Sequence, residues 1–99
     1  MTLDDIITAI RKRARIWIDY DPGVRLVEPH AVGRSREGKL LLRAFQTQGV
    51  SASGEHVNWK LLRLDRLKSY SPSEETFDGP RDGYKRGDSA MKGGIIEEL

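Results

Sequence analysis

Between Val57 and Leu67 apolar and cationic residues share one short stretch: Leu61, Leu62, Leu64 and Leu67 with Trp59, interleaved with Lys60, Arg63 and Arg66. The apolar side chains anchor such a segment in a core, while the cations must end in water or on an anion. Both demands are met by a small domain in which a strand carries its own cation set and offers a rigid anion-binding surface. The pattern fits a binding module better than a catalyst.

The rest of the chain reads as one helix followed by short strands. Thr2 and Asp5 have the spacing of a capping box, and Leu3, Ile6, Ile7 and Ile10 form one apolar stripe at helical spacing. Arg11, Lys12 and Arg13 fall in the last turn, where cations complement the helix dipole. Arg15 to Tyr20 alternates, with Ile16, Ile18 and Tyr20 on one face and Arg15, Trp17 and Asp19 on the other. Asp21-Pro22-Gly23 is a hairpin turn, and Val24 to Arg34 a second strand in which Pro29 requires an edge, a bulge or a bend. After a turn at Glu37-Gly38, Lys39 to Thr47 is a third strand, with Leu40, Leu42 and Ala44 opposite Leu41, Arg43 and Phe45. Gly49 to Glu55 is a loop, Val57 to Arg63 a fourth strand, Asp65-Arg66 a helical turn and Lys68 to Tyr70 a short fifth strand. One helix and about five short strands joined by tight turns predict a mainly β, α+β domain shaped as a small, strongly bent barrel.

From Ser71 onward the composition shifts to Gly, Pro and acids. Residues 1–73 carry 13 Lys/Arg against 8 Asp/Glu, a net of +5, whereas residues 74–99 carry 4 against 7, a net of −3. The expected division is therefore a basic body over 1–73 and an acidic, partly irregular extension over 74–99, into which Phe77 and Tyr84 can dock back. A basic body suits a phosphate-bearing partner, and the acidic extension can compete for the same surface. No apolar run approaches the length of a membrane span, and Met1-Thr2-Leu3-Asp4-Asp5 lacks the basic start of a secretory signal. With no cysteine as well, a cytoplasmic protein is expected.

Catalytic patterns are missing. His30 and His56 are not at metal-ligand spacing and have no cysteine partners, so neither a metal nor another cofactor is expected. No nucleophile elbow is visible, and the loop around Gly49 and Gly54 lacks the Lys-Ser/Thr ending of a phosphate loop. The chain is read as a non-enzyme. Arg15 and Trp17 on one strand, with Arg43 and Phe45 on another, interleave cations and rings on one face, as a surface that stacks bases and neutralises phosphates does. Trp17 has a second reading, as core beneath the N-terminal helix. Arg25, Arg63 and Arg66 present guanidinium forks suited to phosphate oxygens, or else pair with Asp19, Glu28 or Asp65. His30, after Pro29, either donates to an anion or caps a bend.

Taken in order, Ile16-x-Ile18-x-Tyr20, Arg25-x-Val27-x-Pro29-His30-x-Val32-Gly33, Lys39-Leu40-Leu41-Leu42-Arg43-Ala44-Phe45 and Lys60-x-Leu62-Arg63-Leu64-Asp65-Arg66-Leu67 resemble the WYL domain family, with Phe77, Pro80-Arg81 and Tyr84 similar to its short extension. The resemblance covers most of residues 5–84. It implies an Sm-like, SH3-type barrel that acts as a sensor module in transcriptional or defence regulation and binds single-stranded nucleic acid or a nucleotide-like ligand. By motif, the binding positions are Tyr20, Arg25, His30, Arg43, Lys60, Arg63 and Arg66. The Trp-Tyr-Leu triplet of the family is Leu40-Leu41-Leu42 here, and Lys60 stands where arginine is common. The chain is too short to hold the winged helix that usually precedes such domains, so the expectation is a stand-alone sensor that works on a separate regulator protein. A body this small is marginal alone, and a homodimer would add burial. The reading from another class is a protein-interaction adaptor with no nucleic-acid ligand.

Overall fold

The computed structural model describes residues 2–99. Helix α1 (Leu3–Lys12) starts at the expected box: the Asp5 N–H donates to Thr2 Oγ1 at 3.2 Å and the Thr2 N–H to Asp5 Oδ2 at 2.9 Å. Six strands follow: β1 (Ala14–Tyr20), β2 (Gly23–Arg34), β3 (Leu40–Gly49), β4 (Asn58–Arg63), β5 (Ser69–Thr76) and β6 (Gly94–Glu98), with a 3-10 turn at Leu64–Arg66 between β4 and β5. All pairings are antiparallel and the order is β4-β3-β2-β1-β5. The long β2 meets β1 along its first half and β6 along Ala31–Arg34. Pro29 sits in the central strand and is accommodated by a bulge, where the β2–β3 register shifts between Pro29 and Ala31.

The inner face of the sheet carries Ile16, Ile18, Val27, Val32, Leu42, Ala44 and Leu62, which with Ile6, Ala9 and Ile10 of α1 form the main core. Trp17 does not pack beneath the helix. Alternation puts it on the opposite face from Ile16 and Ile18, where it is half-buried between Leu26 and Ser71. On that outer face Ala31, Leu41 and Met91 make a second small core, backed by Tyr84, Ala90 and Ile95. Residues 74–99 are thus not a loose linker. β5 runs to Thr76 instead of ending near Tyr70, Phe77 is buried, and the chain then crosses the outer face to add β6 beside β2.

The sheet is not closed into a barrel: β4 and β5 are its two ends and share no backbone ladder. It curls enough for Tyr20 Oη, at the end of β1, to accept the Arg63 N–H of β4 at 3.3 Å. The neighbouring Trp59 N–H donates to the Asn58 side chain at 2.8 Å, so side chains occupy part of the free β4 edge.

Gly33 fixes how close β6 can come. A Cβ there would lie 2.6 Å from the Gly94 carbonyl and 2.9 Å from Met91 Sδ. Gly33→Ala is therefore expected to push β6 off β2 at a cost of about 1–3 kcal/mol. Hydrogen-exchange protection of the Ile95–Glu98 amides should collapse while that of β1–β3 persists. Unchanged β6 protection would contradict this packing.

Candidate anion-binding site

The seven expected binding residues fall into separate environments. Arg25 is buried, 3% exposed, and both its terminal nitrogens bond internally: Nη2 on the Tyr20 and Asp21 carbonyls at 2.9 and 2.8 Å, Nη1 on Gln46 Oε1 at 3.2 Å. Its carbon Cζ lies 5.2 Å from the Tyr20 ring centroid, and its Nε has no partner among the described residues. Burial pushes its pKa down. Arg25 thus fastens the β1–β2 turn and pairs with none of the expected acids. Lys60 Nζ donates to Ser51 Oγ at 2.8 Å and Ser53 Oγ at 3.2 Å, tying down the loop after β3. Arg63 closes on Asp65 with two contacts of 3.0 and 2.6 Å, the local ion pair among its two readings. Arg66 is exposed, with no ion pair among the described residues.

His30 and Arg43 lie on the outer face under residues 77–92. His30 is fully buried, its Nδ1 2.8 Å from the Glu28 carbonyl and its Nε2 accepting the Arg81 N–H at 3.1 Å. These partners select the neutral tautomer with the proton on Nδ1. Both ring nitrogens are engaged, so His30 fastens the bend and the crossing chain and does not reach an external anion. Phe77 stacks on it at 5.4 Å, and Trp59 and Tyr84 flank it at 4.7 and 5.1 Å.

Beside this ring cluster lies an ionic clamp that residue-by-residue reading missed. The carboxylate of Glu28 has no solvent exposure and accepts from Arg15 Nε at 2.8 Å and from Arg81 Nε and Nη2 at 2.7 and 3.2 Å. Arg81 also lies over the Phe45 ring, 4.5 Å from its centroid. The signal was present in type only, as an acid in a basic body and a basic residue in an acidic extension.

Burial alone would raise the Glu28 pKa, but hydrogen bonds from Arg81 and Arg15 outweigh it and hold the carboxyl below its ordinary range. Burial pushes the His30 ring below its ordinary value. Both folded pKa values thus lie below the unfolded ones, so the unfolded chain takes up protons first as the pH falls. Stability should hold above the ordinary histidine pKa of about 6.5, decline below it, and decline further through the carboxylate range. Thermal melts in a descending pH series check this; a melting temperature level from about pH 7.5 to about pH 4.5 would contradict it.

The remaining cation of the outer face opens a site. Arg43 of β3 and Trp59 of β4 line a cleft of about 470 Å³ with Tyr84, Lys85, Arg86 and Asp88 of the crossing chain. Trp59 and Tyr84 stack with centroids 6.0 Å apart and 24° between planes. The Arg43 fork is engaged on two prongs, Nε to Asp88 Oδ2 at 2.6 Å and Nη2 to Oδ1 at 3.2 Å. The Asp88 carboxylate, 9% exposed, also accepts the Ala90 N–H at 2.9 Å, and Arg43 holds its pKa down. A guanidinium fork, two stacked rings and two further cations together present donors for an anion and a face for an aromatic group. Sequence alternation correctly grouped Arg43 with Phe45, but Trp59, Tyr84 and Asp88 reach this place only through non-local pairing. A second cleft of about 730 Å³ beside Phe45 and Phe77 has its arginines, Arg15 and Arg81, already neutralised by Glu28.

Comparison of the chain with protein-family models, with curated proteins and with solved structures finds no match.

Proposed function

We propose that the protein is a ligand-sensing module that binds single-stranded nucleic acid or a nucleotide-like anion at the Arg43 cleft. The observation that carries this reading is the two-pronged Arg43–Asp88 contact beside the Trp59 and Tyr84 rings. A carboxylate held by a guanidinium fork occupies the same donors that two phosphate oxygens use. Lys85 adds positive charge along the cleft, Arg86 lies beside it in an exposed pair with Glu98 at 3.2 Å, and a base has Trp59 and Tyr84 on which to stack. Arg66, exposed at the 3-10 turn, extends the basic surface. Of the seven sequence positions, Arg43 contacts the ligand in this reading, whereas Tyr20, Arg25 and His30 act by holding the frame.

The strand order, with a 3-10 turn linking its two end strands, supports placing the fold with small Sm-like, SH3-type barrels, here left open between β4 and β5. With the resemblance to WYL domains, that supports a regulatory role, in transcription or defence, in the cytoplasm. No helix among the described residues is long and apolar enough to cross a membrane.

Fluorescence anisotropy of labelled oligothymidine over a salt series tests the proposal. Three cleft cations on a single strand give a log–log salt slope of about −2. Saturable binding with that dependence supports the reading. No binding at low salt by folded protein contradicts it and favours an adaptor role.

A further inference from the structure

The segment that walls the cleft is a strap strung between two anchors. On one side, Phe77 is buried, and Arg81 is held by Glu28 and by His30 Nε2. On the other, Met91 is buried against Ala31 and Leu41, and β6 is laddered onto β2. Residues 82–90 between them have no strand or helix. The Tyr84 and Met91 N–H groups bond within the strap itself, to the Arg81 and Asp88 carbonyls. The body holds this stretch through Trp59 Nε1 on the Asp82 carbonyl at 3.3 Å, a 3.4 Å bond from Tyr84 Oη to the His30 carbonyl, and the shorter Arg43–Asp88 pair. The Glu98 carboxylate of β6 adds two exposed contacts, accepting the Gly87 N–H at 3.0 Å and pairing with Arg86 at 3.2 Å. Gly83 and Gly87, at φ of 89° and 72°, directly precede Tyr84 and Asp88 and can swing where other residues would be strained.

We propose that Asp88 is a built-in competitor: the strap seats its carboxylate on the Arg43 fork, and a ligand phosphate binds by displacing it while both anchors hold. This inference rests on the reading of the Arg43 cleft as a phosphate site. It accounts for a feature that reading alone leaves idle, that the best anion site on the outer face is already filled by an anion from the same chain. The free protein is then a closed state, and affinity is set by the difference between the phosphate and the carboxylate on the same fork.

The test is oligothymidine anisotropy with the full chain and with Asp88→Asn, Asp88→Ser and Glu97→Gln. Asp88→Ser keeps a hydroxyl that can cap the Ala90 N–H. Glu97→Gln removes one charge from the same extension at the Arg11 pair, away from the cleft. Both Asp88 variants should bind about tenfold more tightly than the native chain, a coupling in the ordinary allosteric range, with Glu97→Gln nearly unchanged. Native binding with no gain in either Asp88 variant, or an equal gain in Glu97→Gln, overturns the competitor and leaves the cleft reading standing. No binding by any of the four, with native melting curves, overturns both. Exchange protection of β6 keeps the proposal falsifiable at the level of the anchors: it should be unchanged in the Asp88 variants, and its loss would mean that the whole extension detaches.

Discussion

Glu28→Gln should lower stability by about 3 kcal/mol, the largest loss expected from any near-isosteric change on the outer face. The native carboxylate has no solvent exposure and satisfies two guanidinium groups at once. Glutamine keeps the volume but turns an amide N–H₂ toward donors, so charge-assisted contacts worth about 1.5–3 kcal/mol each are weakened or lost. The Arg15 and Arg81 side chains are 24% and 42% exposed, so their charges regain water, which keeps the total well below the simple sum. In a domain of this size the melting temperature should fall by about 15 °C. The first residues to loosen should be those after Phe77, because Arg81 loses its carboxylate partner. A drop of under about 1 kcal/mol would mean that the clamp contributes little beyond its packing.

Arg43→Ala should weaken oligothymidine binding by about 30-fold, the equivalent of about 2 kcal/mol for a two-pronged charge-assisted contact. Arg43→Lys retains the charge and loses the fork, so its affinity should fall between the two. The fold should tolerate the change, since Arg43 is partly exposed and lies outside the main core. Removing it leaves Asp88 without its guanidinium, which frees the strap but gives the ligand nothing to take hold of. An affinity within twofold of the native chain would place the phosphate elsewhere, with the Arg63–Arg66 turn as the next surface to probe.

Where the signal was local, the sequence spoke plainly. The capping box at Thr2 and Asp5, the stripe through Ile10 and the alternation in β1 and β3 each depend on neighbours within a few residues, and each appears in the structure. What could not be read depends on pairing across the chain. β6 is a short run after Gly93-Gly94 with little alternation, and it forms only because β2 extends past β1 and offers an edge. Arg25 and His30 have side chains that usually seek water, yet backbone groups and the Gln46 amide take up all their polar atoms inside the fold except Arg25 Nε. Alternation alone puts Trp17 on the face opposite Ile16, but which face the helix covers is a tertiary matter. The Arg43–Asp88 contact joins residues 45 apart, and only the opposite charges of body and extension hinted at it.

Ligand binding at the Arg43 cleft is tested most directly by proton–nitrogen NMR of the full chain titrated with oligothymidine, following the Arg43 Nε–H, the Trp59 indole N–H and the backbone amides. Displacement of Asp88 by the ligand should shift the signals of Arg43, Trp59 and residues 82–90, with β6 and α1 nearly still. Shifts confined to the loop after β3 and to the Arg63–Lys68 turn, with Arg43 and Asp88 unmoved, would contradict it.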